Sequence, residues 1–218
     1  YWLFVSLLLC GGLLVASAMV AVSHFLKGRA QRAEIDRVNA ELIKLNKELR
    51  VQARIDALTG LVNRRHFLER LDGELHRAAR FGLPCSVAIL DLDHFKQVND
   101  NLGHGVGDEV LVALARRVQH QLRPLDLVCR LGSDEFVILL APIRDEHEVH
   151  EVMTRIQQGM STPVVLSDGR HLGVGISIGA ALYPEQGETA EALLQFADDA
   201  MYQAKRQRKE EEAHRRTT

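Results

Sequence analysis

The first 26 residues of this 218-residue chain contain no Asp, Glu, Lys or Arg, so all 27 basic and 29 acidic residues lie further along. A helix of about 20 apolar residues spans the hydrocarbon core of a bilayer. Lys27, Arg29 and Arg32 follow the apolar run directly, and positive charge favours the cytoplasmic side of a membrane. We therefore expect a transmembrane helix over residues 1–26, followed by a cytoplasmic remainder. A signal peptide is the alternative, but no basic segment precedes the apolar run.

An excess of charge of one sign is also missing, because the formal net charge is only -2. Nucleic-acid-binding proteins usually carry a strong basic excess, so the composition gives no support for that class. Cysteine is scarce: Cys10, Cys85 and Cys129 are isolated and form no Cys-x-x-Cys pair. Neither a disulfide framework nor a zinc site is expected, which suits a reducing cytoplasm. The 46% hydrophobic content can supply a buried core and excludes a disordered chain.

Glycine and proline are absent from residues 30–58, where an apolar repeat begins. Apolar residues recur at alternating intervals of three and four, at Ile35, Val38, Leu42, Leu45 and Leu49. That spacing is typical of the a/d seam of a coiled coil. We expect residues 27–55 to form a helical stalk that joins two copies in parallel. A surface helix packed on the following domain is the alternative, because the seam covers only about two heptads.

Beyond residue 55, helical and strand patterns alternate along the sequence. Apolar residues recur at helical spacing over four segments, 63–80, 108–122, 146–160 and 190–209. Short apolar runs bounded by turn residues predict strands at 86–92, 127–130, 136–141, 164–166 and 171–182. The last four strands form two hairpins. The expected fold over residues 56–210 is therefore α/β (α+β), with antiparallel strands in a sheet flanked by helices. Residues 211–218 are expected to be a C-terminal tail.

Acidic residues gather at three points of this predicted domain. Asp91 and Asp93 end the most apolar strand, Asp134-Glu135 lie at the tip of the first hairpin, and Asp108 opens a helix after a glycine-rich loop. A carboxylate at the end of a buried strand is costly unless it has a partner. Asp134-Glu135 could instead be a solvated turn, and Asp108 could simply be a favourable charge at a helix N-terminus.

Carboxylates from neighbouring strand ends are suitable ligands for Mg²⁺, which prefers oxygen and keeps coordination places for phosphate. Three lysines are available to contact phosphate: Lys96, Lys205 and Lys209. Converging carboxylates with a divalent cation indicate phosphoryl or nucleotidyl transfer. The residues by themselves lead to this reaction class and to no particular substrate.

The hairpin sequence RLGSDEF at 130–136 resembles the signature of the GGDEF family, the diguanylate cyclases. Three further blocks resemble the family's other motifs: DALTGLVNRR at 56–65, DLDHFKQVND at 91–100 followed by Gly103-His104 and Gly107-Asp108, and ADDAMYQAK at 197–205. Four blocks in the right order are far more specific than one short motif.

The resemblance implies a sheet related to the palm of nucleotide cyclases and polymerases. It also implies a homodimer that condenses two GTP molecules into cyclic di-GMP with release of pyrophosphate, and Mg²⁺ or Mn²⁺ as the cofactor. With the predicted anchor, the expected location is the bacterial inner membrane, with the catalytic domain in the cytoplasm. No nucleic-acid partner is expected.

The functional residues of the family fall on matching positions of this chain. The resemblance implies that the metal is bound by Asp91, the Leu92 carbonyl, Asp134 and Glu135, and that catalysis uses Asp134, Glu135 and Lys205. It implies substrate contacts for Phe95, Lys96, Asn99, His104, Asp108, Gly132, Ser133, Lys205 and Lys209. Asn99 and Asp108 are expected to bind the guanine edge, since a carboxylate only accepts hydrogen bonds.

A second site is implied by the segment 123–126, Arg-Pro-Leu-Asp, which matches the family's R-x-x-D inhibitory site for the product. Arg123 and Asp126 are its expected ligands, with Arg155 as a further contact.

Two departures from the family pattern bear on activity. Ser133 replaces the second glycine of the signature, and Lys209 stands where an arginine is usual after a missing glycine. A degenerate module that only binds GTP or cyclic di-GMP is therefore the alternative to an active cyclase. Relaxed base choice is disfavoured, because Asp108 is present.

Overall fold

The computed structural model describes residues 19, 37–39, 41 and 54–217. The chain divides into two units, residues 1–52 and 53–218, and the described residues of the first unit are helical. The predicted transmembrane helix and most of the predicted stalk therefore lie outside the described residues. Within the described part of the chain, no helix is both long and apolar enough to cross a membrane.

The second unit carries all the elements that position the site. Its helices are α1 (Arg64–Phe81), α2 (Phe95–Leu102), α3 (His104–Gln121), α4 (Glu146–Met160) and α5 (Ala190–Thr217). Its strands are β1 (Val62–Asn63), β2 (Cys85–Leu92), β3 (Leu127–Arg130), β4 (Glu135–Leu140), β5 (Val164–Val165), β6 (His171–Leu172) and β7 (Ile176–Tyr183).

Five strands form one sheet in the order β1-β3-β4-β2-β7. β1 pairs with β3 in parallel, and the other three pairings are antiparallel. All residues of the inner strand β2 are buried, because helices cover both faces of the sheet. The register of β2 with β4 places Asp91 opposite Glu135, so the two carboxyl groups meet at one end of the sheet. Strands β5 and β6 form a separate hairpin.

Alternate residues of β2 face two hydrophobic layers, as the period of a strand requires. Leu90 belongs to the cluster formed with α2, α3 and α4, whereas Ile89 belongs to the cluster formed with α1 and α5. Helix α5 approaches β7 closely at Gly179, where a Cβ atom would lie 2.1 Å from the backbone nitrogen of Met201. This close packing fixes α5 on the sheet and places its later turns beside the end of β2.

The structure confirms the expected mixed sheet flanked by helices and corrects several elements. Helix α2 was not predicted; eight residues are too few for a helix on its own, and this one is stabilised by burial of Phe95. Helix α3 begins at His104, earlier than the predicted residue 108. The single strand predicted at 171–182 is wrong, because β6 and β7 are separate strands. Between them, the Gly175 carbonyl accepts a hydrogen bond from the Asp93 backbone N–H.

Helix α5 extends to Thr217, through most of the segment expected to be a tail. Residues 205–212 are Lys, Arg, Gln and Glu, all of which favour helix. No strand follows α5 in the part of the chain that the structure describes.

Candidate functional site

The site is built around Asp91, which lies at the end of β2 and is only 7% exposed. The Lys205 ammonium, from α5, donates to Asp91 Oδ1 over 2.5 Å. A nearly buried carboxylate needs such a partner. The pair therefore ties the middle of α5 to the sheet end where the sequence predicted a metal site.

Four carboxyl groups crowd this end of the sheet, those of Asp91, Asp93, Asp134 and Glu135. Burial raises the pKa of Asp91; Lys205 opposes the rise, and the charges of Asp134 and Asp93 add to it. Burial also raises the pKa of Glu135, and the charges of Asp91 and Asp134 contribute. The mutual repulsion makes the cluster a region of strong negative potential, which a divalent cation would relieve.

Oxygen donors of this kind fit Mg²⁺ or Mn²⁺ in their chemistry. Among the described residues, no three His, Cys, Asp or Glu side chains are grouped closely enough to form a ready metal cage. In this arrangement Lys205 occupies one oxygen of Asp91. The carboxylates are therefore neighbours that could share a cation, and the Lys205 ammonium lies among them.

The signature hairpin is held in place by its backbone and by Arg130. The Leu131 N–H donates to the Glu135 carbonyl over 2.8 Å, and the Leu92 N–H donates to the Asp134 carbonyl over 3.3 Å. The Arg130 guanidinium donates to the Ser133 carbonyl over 2.9 Å. These bonds bring Asp134 and Glu135 beside Leu92, the last residue of β2.

Ser133 adopts its place in the hairpin without a left-handed backbone; the one non-glycine residue with positive φ in the described chain is His94. The Ser133 hydroxyl donates to the Asp134 carboxylate in a very short contact. The replacement of glycine thus adds a side-chain bond to a predicted metal ligand and does not strain the backbone. Gly132 precedes it, and a Cβ atom there would lie 3.3 Å from a Glu135 carboxylate oxygen.

The block at 56–60 forms a turn that contacts the same hairpin. Thr59 donates to Asp56 Oδ1 from its backbone N–H over 2.9 Å and from its hydroxyl over 2.7 Å. Arg130 pairs with the same oxygen at 3.4 Å. Burial would raise the pKa of Asp56, but the bonds from Thr59 and Arg130 outweigh it and the pKa is lowered.

The predicted guanine-binding residues come from α2 and α3, directly after β2. The Gly103 N–H donates to the Asn99 carbonyl over 2.9 Å, and Gly103 has φ 86°, which favours glycine. A Cβ atom at Gly107 would lie 2.0 Å from Asn99 Oδ1, so only glycine leaves room for this amide. His104 begins α3 and Asp108 is exposed on its first turns.

A cavity of about 460 Å³ adjoins Asp108. Leu58, Ala113, Val165 and Leu166 line it, together with polar groups that include Arg116. An apolar wall beside a carboxylate is the kind of surface on which a planar base can lie. Leu58, from the turn that follows Asp56, thus lines the same cavity as Asp108.

Phe95 and Lys96 open α2, and the structure separates their roles. The Phe95 side chain is buried in the hydrophobic core, so only its backbone remains available to a ligand. Lys96 is exposed.

Sequence reasoning noted Asp93 without giving it a role, and it missed the two residues that bind this carboxylate, Ser177 and Arg208. The Ser177 hydroxyl donates to Asp93 Oδ1 over 2.7 Å, and the Arg208 guanidinium donates to Asp93 Oδ2 over 2.6 Å. Lys209, which was expected to bind substrate here, is exposed on the next position of α5. The signal that could have found Arg208 is its spacing of three from Lys205, which puts both cations on one helix face.

Two of the predicted inhibitory residues, Arg123 and Asp126, lie between α3 and β3, and the third, Arg155, lies on α4. The Arg123 N–H donates to Asp126 Oδ2 over 2.9 Å, and the Asp126 N–H donates to the Arg123 carbonyl over 3.1 Å. Arg155, from α4, donates to the Gln121 carbonyl over 2.6 Å. The Arg123 guanidinium pairs with Glu148 of α4, which the sequence had not suggested. The structure therefore brings all three predicted residues to one surface.

Comparison with known proteins agrees with this geometry. The model of the family described as "Diguanylate cyclase, GGDEF domain" matches residues 53–211. The chain is 45% identical over 174 residues to the diguanylate cyclase TpbB of Pseudomonas aeruginosa, an alignment that covers 80% of this chain and 40% of TpbB. The chain thus spans less than half the length of that curated relative.

Solved structures give the same result. The crystal structure of the TpbB (YfiN) GGDEF domain from Pseudomonas aeruginosa matches with a TM-score of 0.68 and 46% identity, covering 68% of this chain and 92% of that one. The coiled coil and GGDEF domain of DgcB from Caulobacter crescentus, in complex with c-di-GMP, matches with a TM-score of 0.69 and 29% identity, covering 80% and 94%. The chain therefore belongs to the GGDEF family of diguanylate cyclase domains.

Proposed function

We propose that this chain is a diguanylate cyclase that condenses two GTP molecules into cyclic di-GMP and releases pyrophosphate. The observation that carries the proposal is the carboxylate cluster of Asp91, Asp134 and Glu135, in which Lys205 already contacts Asp91. The helices that carry Asn99 and Asp108 follow the same strand end directly. A metal and phosphate region and a base-binding region are thus adjacent.

Guanine recognition is assigned to Asp108 and Asn99. A carboxylate presents only acceptors, so Asp108 suits the N1–H and N2–H₂ donors of guanine. Adenine has an acceptor at N1 where guanine has a donor. Two acceptors would then face each other, and both would lose hydrogen bonds to water without gaining one. The Asn99 amide, which lies beside Gly107, is the second proposed contact to the guanine edge.

The phosphate end is assigned to the carboxylates, with Lys96, Gly132 and Ser133 as the flanking contacts. The groups proposed to hold a divalent cation, Mg²⁺ or Mn²⁺, are Asp91, the Leu92 carbonyl, Asp134 and Glu135. Such a cation supplies charge neutralisation for the triphosphate during attack at the α-phosphorus. Lys205 adds a second positive charge, and Asp134 is the proposed acceptor of the 3′-hydroxyl proton.

One domain holds one such site, so the reaction requires two copies whose sites face each other. The predicted stalk over 27–55 is the proposed dimer contact, and the predicted helix over 1–26 the proposed anchor in the bacterial inner membrane. Product feedback inhibition is proposed at Arg123, Asp126 and Arg155. The closed turn between Arg123 and Asp126 supports this site, because its two hydrogen bonds hold a donor residue and an acceptor residue side by side.

A GTP or cyclic di-GMP receptor without catalysis is the second candidate. The observation that favours it is the Ser133 hydroxyl bonded to Asp134, since this bond engages a proposed metal ligand.

The deciding experiment uses the full chain in detergent micelles, incubated with GTP and Mg²⁺ and analysed by chromatography. We expect cyclic di-GMP and pyrophosphate. Asp134→Asn should lower turnover by about a hundredfold or more, because the variant loses a proposed metal ligand that is also the proposed proton acceptor. Asp199→Asn, an exposed carboxylate of α5 that accepts from Gln195, is the matched control and should keep the rate. GTP binding in calorimetry without any product would instead support the receptor.

A further inference from the structure

We propose that Glu148 is an internal competitor for the inhibitory ligand, because its carboxylate binds the Arg123 guanidinium that the product would need. The inference rests on the proposed inhibitory site and concerns its regulation. The ligand class is a dianionic nucleotide with guanine bases, as cyclic di-GMP is. Glu148 is thus a positioning residue that sets the affinity of this surface.

The first step is the burial of Glu148. It lies in the first turn of α4 and is only 2% exposed, one of the few charged residues so placed in the described chain. Its carboxyl is held in the ionised form, since the Arg144 N–H and then the arginine side chains keep its pKa lowered. A buried, ionised carboxylate is stable only with partners, and here the partners are arginines.

The two carboxylate oxygens have different partners. Oε2 accepts from the Arg144 backbone N–H over 2.8 Å and from Arg144 Nε over 3.1 Å. The Glu148 N–H in turn donates to Asp145 Oδ1 over 2.9 Å, which fixes the residue in the helix cap. Oε2 is therefore committed to the start of α4.

Oε1 faces the inhibitory turn. It contacts the Arg123 guanidinium as an ion pair, and it accepts no hydrogen bond of normal geometry from the described residues. Because Oε2 is fixed, Glu148 cannot turn away when a ligand arrives. The Arg123 side chain is 56% exposed, so a ligand can reach it from solvent.

The second step is the charge of the surface. Three arginines, Arg123, Arg144 and Arg155, are balanced by three carboxylates, Asp126, Asp145 and Glu148, so these six side chains sum to zero. The field of Glu148 reaches the turn: burial raises the pKa of Asp126, and the Glu148 charge adds to that rise. A phosphate that approaches Arg123 therefore meets a neutral cluster with an anion already in place.

The consequence is a direct exchange. A ligand phosphate or guanine acceptor can take the Nη1 donor of Arg123 only as far as this nitrogen leaves Glu148, and the Glu148 charge opposes an anion at the remaining Arg123 donors. A substitution that removes the charge of Glu148 but keeps its shape frees the Arg123 guanidinium. The cluster of arginines and carboxylates then has a net charge of plus one. Anion binding should then be stronger and should depend more steeply on salt.

The test is calorimetric binding of cyclic di-GMP to the full chain, saturated with a non-hydrolysable GTP analogue so that the substrate site is occupied. The Glu148→Gln variant should bind cyclic di-GMP roughly fivefold more tightly than the natural chain. A change of this size in the dissociation constant corresponds to the free energy of one partly exposed charge pair. Glu146→Gln removes the same charge from an exposed position of the same helix and should leave the affinity unchanged. Thermal unfolding of both variants tests that α4 stays folded.

The outcomes separate the two proposals. If Arg123→Ala weakens binding but Glu148→Gln binds no better than the natural chain, the competition is wrong and the inhibitory site stands. If Glu146→Gln tightens binding as much as Glu148→Gln, general charge is the cause and the competition is wrong. If Arg123→Ala leaves binding unchanged, the inhibitory site itself is wrong and the competition falls with it.

Discussion

The residues of the site are distinguished by the partner that each carboxylate has. Asp91 has Lys205, Asp93 has Arg208 and Ser177, and Asp134 has the Ser133 hydroxyl. Cation pairs and hydroxyl bonds of this kind hold acidic groups in place until a ligand replaces their partners. Two predictions follow from these pairings, one for Ser133 and one for Arg208.

Removing the Ser133 hydroxyl should raise turnover. Ser133→Ala and Ser133→Gly both free the Asp134 carboxylate, so initial rates of cyclic di-GMP formation should increase roughly threefold in both, the size of one hydrogen bond to a charged group. An increase in Ser133→Gly alone would mean that the Cβ atom crowds the substrate. No increase in either variant would contradict a restraining role for the hydroxyl.

Arg208 should matter more to GTP binding than Lys209. Arg208→Ala leaves Asp93 without its cation and loosens α5 beside the site, so KM for GTP should rise about tenfold with a smaller change in kcat. Lys209→Ala, one position further on an exposed part of the helix, should change KM less than about twofold. Equal effects of the two substitutions would contradict the assignment, and steady-state kinetics on purified variants decide it.

The elements of the domain place these residues by two contacts. Helix α5 packs on β7 at Gly179, and the turn that begins at Asp56 is tied to the hairpin through Arg130. The first contact brings Lys205 to Asp91, and the second joins the start of the domain to the signature loop. Each can be tested by a substitution that leaves the site residues in the chain.

Gly179→Ala should destabilise the domain. The added Cβ would lie 2.1 Å from the Met201 nitrogen and 2.4 Å from the Ala197 carbonyl oxygen, and backbone atoms cannot move aside cheaply. We expect a loss of about 2 kcal/mol or more in the free energy of unfolding. Gly173→Ala adds the same methyl where nothing lies within 4 Å and is the control. Urea denaturation measures both; similar midpoints would rule out tight packing at Gly179.

The Asp56 contact should make stability depend on acid pH. Its folded pKa is lowered from the ordinary value of 3.8, so its contribution is present above that pH and is lost as the pH falls below it. Asp56→Asn removes the titrating group and should flatten this part of the profile. Urea midpoints measured from about pH 6 down to about pH 3 test it. An unchanged acid limb in the variant would show that other carboxylates account for the loss.

The whole molecule is proposed to work as a pair of chains, because one domain holds one GTP. The seam at Ile35, Val38, Leu42, Leu45 and Leu49 is the feature that would align them. Val38 is exposed in the isolated chain, as an apolar residue awaiting a partner copy would be. Under this proposal, activity is a property of the dimer and of how its two chains are aligned.

A charge in the seam should therefore lower specific activity at low protein concentration. Val38→Asp should weaken the dimer, with activity per chain recovering as concentration rises. Asn39→Asp adds the same charge one position away from the seam, at an exposed helical site, and should keep the natural dependence. Analytical sedimentation measures the dimer fraction over a dilution series, and initial rates measure the activity per chain at the same concentrations. Equal behaviour of the two variants would place the dimer contact elsewhere.

Much of this architecture could be predicted from the sequence, because its signals are local. The buried run of β2, the hairpin around Gly132 and the helix at Glu146–Met160 each carry their pattern within a few residues. Helix α2 and the break between β6 and β7 were missed, since both depend on contacts made elsewhere: the burial of Phe95 and the bond from Asp93 to Gly175.

The sequence by itself determined the family, and it predicted the reaction class and most of the acidic and basic site residues, since motif spacing indicates which chemistry the chain carries. The tertiary structure decided which of these groups pair. Arg208, not Lys209, reaches Asp93, and Glu148 reaches Arg123. Such pairs join residues far apart in the chain through helix packing on the sheet. No local pattern records the distance between them, because that distance is set by how closely α4 and α5 approach their neighbours.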